Sequence, residues 1–192
     1  QAPDDHAQDA EAEKRNGARQ MTVRPIRQWP DPCLSQVCAP VAQDDDVSAL
    51  ITDLFDTMYA AQGRGLAAPQ IGVLARVFVM DAGWKEGAPT PLALVNPRVI
   101  DATPPRLEGI EVCLSIPGVE APVLRSEAVR YEVHRADGAQ VLAFEGVSAR
   151  IAQHEFDHLE GLVTFDRLDR ATRARLEAPV LERVASGAGE TQ

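Results

Sequence analysis

Long apolar runs, cysteine and positive charge are all scarce in this chain. No apolar run approaches the roughly 20 residues that a membrane-spanning helix needs, so we expect no membrane partner. The three cysteines follow a start that lacks the apolar core of a secretory signal, so they do not suggest a disulfide framework and fit a reducing cytoplasm. The 19 Lys and Arg against 29 Asp and Glu give a net charge of −10, which argues against nonspecific binding to nucleic acid.

The first twenty residues differ in composition from the rest of the chain. They contain acids, amides and alanines but no aromatic or branched aliphatic residue. Such a segment cannot bury enough apolar surface to offset the entropy lost on ordering. We therefore expect a disordered N-terminal extension at residues 1–20, one domain over residues 21–185 and a frayed tail at residues 186–192.

Hydrophobic spacing predicts an α+β fold, in which antiparallel strands and hairpins pack around a central helix. A helix is expected over residues 47–61, preceded by aspartates at 44–46 that can cap it. Strands are expected at residues 73–80, 92–95, 127–135 and 141–144, the last two joined by a turn at Asp137-Gly138. A second helix should start near residue 147 with Ser148 as its cap. A charged helix over residues 170–184 should be kinked or interrupted by Pro179.

Two histidines four residues apart form an H-E-x-x-H motif at residues 154–158. Positions i and i+4 share one face of a helix, so His154 and His158 can reach the same metal ion. Glu155 is rotated by about 100° from His154, where it can take a proton from a water molecule at an open position of the metal. The alternative is a solvated helix with incidental histidines. Apolar residues before the motif and Gly161 as a helix end favour the metal site.

A metal site of this kind needs a third protein ligand, and the sequence offers several. Glu177, Asp166 and Asp169 lie downstream, and Glu177 stands where a zinc protease with a glutamate ligand would carry it. Cys113 lies upstream, and thiolate and imidazole ligands together suit zinc or ferrous iron. The ligand types alone leave these alternatives open.

A glycine-rich stretch, G-R-G-L-A-A-P-Q-I-G at residues 63–72, adds a further motif. It is not a phosphate-binding loop, because it comes after a helix and no Gly-Lys-Ser/Thr follows it. Together with E-V-C-L-S at 111–115 and Q-H-E-F-D-H at 153–158, it resembles the three signature motifs of the peptide deformylases. Those read G-x-G-L-A-A-x-Q, E-G-C-L-S and Q-H-E-x-D-H, in the same order. The resemblance covers residues 23–168, with one departure: Val112 stands where the family pattern has glycine.

The resemblance implies a metal-dependent enzyme that hydrolyses the N-formyl group from the initiating methionine of new polypeptides. It implies one divalent ion, Fe²⁺ in preference to Zn²⁺, held by Cys113, His154 and His158. Glu155 would move the proton, and the Gln70 side-chain amide and the Leu114 backbone N–H would stabilise the oxyanion. The implied partners are N-formylmethionyl nascent peptides in the cytoplasm, with the ribosome as a further candidate.

The resemblance also implies substrate-binding roles for Gly63, Arg64, Gly65, Glu111 and Val112. Gly65 would offer backbone hydrogen bonds to an extended peptide, and Glu111 would support the site or form part of its wall. The family further suggests a structural pair between Asp157 and Arg125, while Arg150 is interpreted as a charge at the surface or pocket rim.

Two other functions compete with this interpretation. One is a zinc endopeptidase with Glu177 as third ligand, which would leave Cys113 and Gln70 without a role. The other is a divergent paralogue that keeps the metal for stability, or that binds formylated peptides without hydrolysing them. Val112 is the only feature of the sequence that supports this second alternative.

Overall fold

The computed structural model describes residues 21–135 and 138–187, except the side chains of residues 134 and 135. The predictions of a disordered extension at residues 1–20 and of a tail that frays as far as residue 192 therefore lie outside the described residues, as does Asp137. The regular elements, in chain order, are α1 (Ser48–Ala60), β1 (Gly65–Ala67), β2 (Val77–Met80), β3 (Leu92–Val95), β4 (Arg98–Cys113), β5 (Ile116–Arg135), β6 (Gly138–Glu145), α2 (Gly146–Leu159) and α3 (Arg170–Ala185).

The strands form two antiparallel sheets, ordered β1-β2-β3 and β4-β5-β6. Helix α2 lies between them, because its apolar face packs on both. Ala149, Ala152 and Leu159 share one core cluster with Phe78 of the first sheet and Tyr131 of the second. The predicted α+β arrangement around a central helix is confirmed. None of the helices in the described ranges is both long and apolar enough to cross a membrane.

Most predicted elements occur, but several boundaries differ. Strand β3 has the predicted bounds, and α1 loses one predicted residue at each end. The predicted aspartate cap is not formed, because the N-cap of α1 is Val47, although the Ser48 N–H donates to the Asp46 carboxylate at 2.9 Å. Strand β2 begins at Val77 rather than at residue 73, since Gly72 takes a left-handed conformation (φ 82°) and Ala75 forms a separate bridge with Ala39.

The second sheet is larger than predicted. Strand β4 spans 16 residues and β5 spans 20, whereas the sequence pattern indicated only short pieces of each. Pro104 and Pro105 interrupt the strand pattern of β4 in the sequence. In the structure they fall in a register shift between Thr103 and Arg106, where they need not donate a ladder hydrogen bond.

The predicted cap of α2 was wrong, and so was the interruption of α3, whereas a kink at Pro179 stays a prediction. Ser148 lies inside α2, which begins at Gly146 without a side-chain cap. Helix α3 continues through Pro179, which therefore does not interrupt it. The carbonyl four residues earlier belongs to the exposed Arg175, so water can replace the hydrogen bond that proline cannot donate.

A buried charge network fixes α2 against the second sheet. Arg125 of β5 donates to Glu111 of β4 through Nε and Nη2, both at 2.9 Å, and to Asp157 of α2 at 2.6 Å. All three side chains are at most 6% exposed. The expected pair between Arg125 and Asp157 is therefore present, as one half of a three-residue network. Arg167 also donates to Asp157, at 2.8 Å.

We expect Arg125→Leu to lower the free energy of unfolding by about 3–5 kcal/mol, because two buried carboxylates would lose the cation that they share. Urea denaturation followed by circular dichroism measures the loss. Arg98→Leu is the matched control: Arg98 also pairs with a glutamate, Glu132, but its side chain is 76% exposed, and exposed pairs contribute little. Equal losses in the two variants would show that the buried network does not hold the sheet and helix together.

Candidate metal centre

Two histidines of α2 and one cysteine of β4 meet in the interior. His154 and His158 lie one turn apart on the same face of α2, and Cys113 is the last residue of β4. His158 Nε2 lies 3.4 Å from Cys113 Sγ, and one ligand atom from each of the three residues falls within 4.8 Å of the others. All three side chains are buried. The structure thus brings together Cys113 and the two histidines of the motif.

The surroundings of these residues suit a divalent metal ion. His154 Nδ1 lies 2.9 Å from a Glu111 oxygen. Burial alone would raise the pKa of Glu111, but hydrogen bonds and charge from Arg125 and His154 hold it far below its ordinary value. A hydrogen bond from Nδ1 to that carboxylate leaves Nε2 free to bind metal. Burial lowers the pKa of His158, so its ring is neutral, the form that binds metal. One thiolate and two imidazoles are a donor set for zinc or ferrous iron.

Glu155 lies beside this cluster with one free oxygen. Its side chain is buried, and Oε2 has no hydrogen-bond partner in the described part of the chain. Burial raises the pKa of Glu155 to about 7. A carboxyl group with such a pKa can both accept and return a proton at neutral pH. Gly65 lies directly against it, since a Cβ at residue 65 would come within 2.7 Å of the Glu155 carboxyl carbon.

Gln70 presents an oriented amide to the cluster. It lies in the short 3₁₀ helix Ala68–Ile71, and its Oε1 accepts the Ala67 N–H at 2.9 Å. That bond turns Nε2 toward Ser115 Oγ at 3.1 Å and Cys113 Sγ at 3.7 Å. Leu114 follows Cys113 in the turn between β4 and β5, and Gln28 donates to its carbonyl at 3.1 Å. Both predicted oxyanion donors therefore belong to residues that border the cluster.

A groove of about 450 Å³ opens onto the cluster between the two sheets. One wall is the backbone of residues 63–65, here called the glycine edge, which leads into β1. The other wall is the end of β4. Both β1 and β4 are edge strands within their sheets. The side chains that extend into the groove are mostly apolar: Ile110, Val112, Leu114, Val147 and Ile151, with His154 and Glu155 at its base.

The predicted substrate-binding residues all line this groove, but their side chains differ in direction. The guanidinium of Arg64 pairs with Glu86, so it is held by a neighbouring loop. Glu111 supports His154, as described above. Val112 borders the groove and is 70% exposed.

The other predicted third ligands have different roles. Glu177 accepts from Arg173 at 2.9 Å, Asp166 accepts the Val163 N–H at 2.9 Å, and Asp169 caps α3. None belongs to the described cluster of ligand atoms.

Sequence reasoning underestimated two arginines. Arg125 was expected to pair only with Asp157, and Arg150 was taken for a surface or rim charge. Arg150 does line the groove, but it also donates to Glu111 at 3.0 Å and to the Val123 carbonyl at 2.9 Å. An arginine directly after an apolar stretch of a strand, as in Val123-Leu124-Arg125, was a signal that a buried acid lies opposite.

Known proteins resemble this chain over most of its length. The sequence model of the polypeptide deformylase family matches residues 23–174. A peptide deformylase from Alkalilimnicola ehrlichii is 43% identical over 169 residues, which cover 87% of this chain and 94% of that one. One from Rhizobium meliloti is 41% identical over 155 residues, covering 80% and 89%.

Solved structures of peptide deformylases also resemble this chain. A peptide deformylase from Thermus thermophilus superposes with a TM-score of 0.77 at 40% identity, over 85% of this chain and 96% of its own. The enzyme from Thermotoga maritima gives a TM-score of 0.70 at 36% identity, over 77% and 98%.

We expect Cys113→Ala and His158→Ala to lose the metal ion and to unfold at lower temperature, because binding to the native site contributes to the free energy of folding. Elemental analysis and thermal unfolding measure the two effects. Cys33→Ala is the matched control, since Cys33 is also a free thiol but lies outside the cluster. Full metal content in Cys113→Ala would mean that another residue supplies the third ligand, with Glu177 next to be replaced.

Proposed function

This chain belongs to the polypeptide deformylase family, and from that premise we propose how its residues perform the reaction. The protein is a metal-dependent hydrolase that removes the formyl group from the amino-terminal methionine of newly made polypeptides. The observation that carries the assignment to particular residues is the buried cluster of Cys113, His154 and His158 at the base of a groove, with the free oxygen of Glu155 beside it.

The groove suits an extended peptide with an apolar first side chain. Its two walls are edge strands, whose free backbone groups can pair with an added strand. The glycine edge has no side chains at residues 63 and 65, so a peptide backbone can approach it closely. Ile110, Val147 and Ile151 form an apolar surface against which a methionine side chain can pack.

The groups at the base of the groove divide the chemistry between them. Cys113, His154 and His158 would hold a divalent ion, which when bound would supply Lewis acidity to the formyl carbonyl and to water. Glu155 accepts a proton from the attacking water and donates it to the departing amine. The Gln70 Nε2–H and the Leu114 backbone N–H donate to the oxygen on which negative charge develops. Glu111 acts indirectly by fixing the ring of His154.

For the ion itself we propose Fe²⁺, as the family resemblance implies. The donor set of one sulfur and two nitrogens also accepts Zn²⁺. Purification without oxygen followed by metal analysis distinguishes the two ions. The peptide substrates are nascent chains, so we further propose action in the cytoplasm, with the ribosome as the place where the substrate is met.

The zinc endopeptidase has less support. Its third ligand, Glu177, is bound to Arg173 through both carboxylate oxygens and lies on α3 rather than in the cluster. Cleavage of an internal peptide bond in an unformylated peptide would revive this alternative.

The function is tested by incubating the iron-loaded protein with a formylmethionyl tripeptide and measuring the release of formate. We expect turnover by the wild-type protein and a loss of roughly 10² or more in Glu155→Gln, the scale of general-base catalysis. The amide keeps the shape of the carboxylate but cannot accept the proton.

The metal content of Glu155→Gln must equal that of the wild-type protein, because Glu155 is not a ligand in this proposal. Near-normal turnover by the variant would assign the proton transfer to another group. Absence of turnover by the wild-type protein with iron and with zinc would favour a non-catalytic binding protein.

Val112 stands where the family pattern has glycine, and the sequence alone allowed two consequences. Valine can pack away from the groove with no effect, or it can narrow the groove beside Cys113. The structure favours the second, because the exposed side chain lines the groove at a register shift between Glu111 and Cys113. The backbone accommodates valine without strain, since residue 112 is not among those with positive φ.

We expect Val112→Gly to raise kcat/KM for formylmethionyl peptides by about threefold to tenfold, or roughly 0.7–1.4 kcal/mol in barrier height, because its methyl groups no longer obstruct the peptide. Metal content should stay constant. Val99→Gly controls for a glycine placed in the same strand, since Val99 is exposed but lies outside the groove. If Val112→Gly hydrolyses no formyl peptide faster than the wild-type protein, the valine side chain does not slow the reaction.

A further inference from the structure

The loop that follows β2 holds the glycine edge from the side opposite the groove. The Trp84 indole Nε1–H donates to the Gly63 carbonyl at 2.7 Å, and the Asp81 N–H donates to the Arg64 carbonyl at 2.8 Å. The Arg64 guanidinium donates to Glu86 Oε2 at 2.9 Å and also bonds the Ala82 carbonyl. Residues 81–86 thus donate hydrogen bonds to two successive carbonyls of the glycine edge. They also bind the guanidinium of Arg64, the middle residue of that edge.

Trp84 is itself fixed in place. Its ring meets Tyr59 edge to face, with ring centroids 5.3 Å apart, and Tyr59 in turn donates its hydroxyl to Asp81 at 2.7 Å. Lys85 Nζ lies 5.6 Å from the centroid of the Trp84 ring. Because helix α1 carries Tyr59, the indole is bound to the scaffold of the fold rather than to a free loop.

On its groove side, the glycine edge packs directly on two groups of the proposed machinery. A Cβ at residue 63 would come within 2.9 Å of Leu114 Cδ1, and one at residue 65 would collide with the Glu155 carboxyl group. The edge therefore has no spare room between the loop and these groups. A small displacement of the edge changes the width of the groove, and Trp84, which does not line the groove, opposes that displacement.

We propose that Trp84 is a positioning residue for peptide binding, which acts through its hydrogen bond to the Gly63 carbonyl. The bond holds the glycine edge at the separation from β4 that an extended formylated peptide requires. Helix α2 and strand β4 are held separately, through Arg125, Glu111 and Asp157, so the effect falls on substrate binding rather than on the chemical step. This inference rests on the deformylase function proposed above.

The test is Trp84→Phe, which keeps an aromatic ring against Tyr59 but removes the N–H donor. We expect KM for a formylmethionyl tripeptide to rise by about threefold to tenfold, the range for loss of one hydrogen bond. The value of kcat should stay within about twofold, because the lost interaction stabilises the bound substrate and the transition state equally. Metal content should not change. Glu86→Gln, which weakens the hold on Arg64 at an exposed position, should raise KM in the same direction by less.

Trp29→Phe is the matched control, since it removes the same indole N–H. The Trp29 Nε1 is buried without a hydrogen-bond partner in the described part of the chain, so KM should stay at the wild-type value. Unchanged KM in both Trp84→Phe and Glu86→Gln, with a wild-type protein that is active, would overturn the proposal. A fall in kcat and unfolding temperature without a rise in KM would also overturn it, because Trp84 would then be merely structural. An inactive wild-type protein would instead refute the proposed function on which the inference rests.

Discussion

The carboxylate of Glu111 is the group on which the rest of the structure depends. It is 5% exposed, and it receives hydrogen bonds from Arg125, Arg150 and His154. A buried carboxylate is costly unless it is paired and fully hydrogen-bonded. The same contacts that satisfy it also join β4 to β5, connect both to α2, and fix the ring of His154. Fold and site are thus stabilised by one network, so a change in Glu111 would affect both together.

The groove exists because two sheets stop short of joining. β1 ends one sheet and β4 ends the other, and α2 fills the space beneath them instead of a further strand. Free strand edges are normally a hazard, since they pair with other chains. Here the two edges face each other across a narrow space, which restricts pairing to a single extended strand. In the proposed function, the arrangement therefore turns a structural liability into a means of binding peptides of varied sequence through their backbone.

The site could be predicted from the sequence better than the sheets that present it. The candidate ligands follow from local spacing on one helix and from motif resemblance, and the histidines of α2 needed no tertiary information. Most of β4 was missed because Pro104 and Pro105 interrupt the alternation, and only the register shift at Thr103 explains how the strand accommodates them. The bond from Trp84 to Gly63 joins residues 21 positions apart and has no sequence signature.

The groups proposed to be catalytic are also where the structure gives up stability. Burial of an acid with one oxygen unpaired, as in Glu155, raises the free energy of the folded state. A donor to that oxygen would relieve this cost, but it would also lower the pKa from about 7 and block the approach of water. Gly65 also leaves room for the Glu155 carboxyl group, because any side chain at residue 65 would displace it. Stability at the base of the groove is therefore supplied from its periphery, by Arg125 below and Trp84 outside. The centre stays free to bind a metal ion, a water molecule and a peptide.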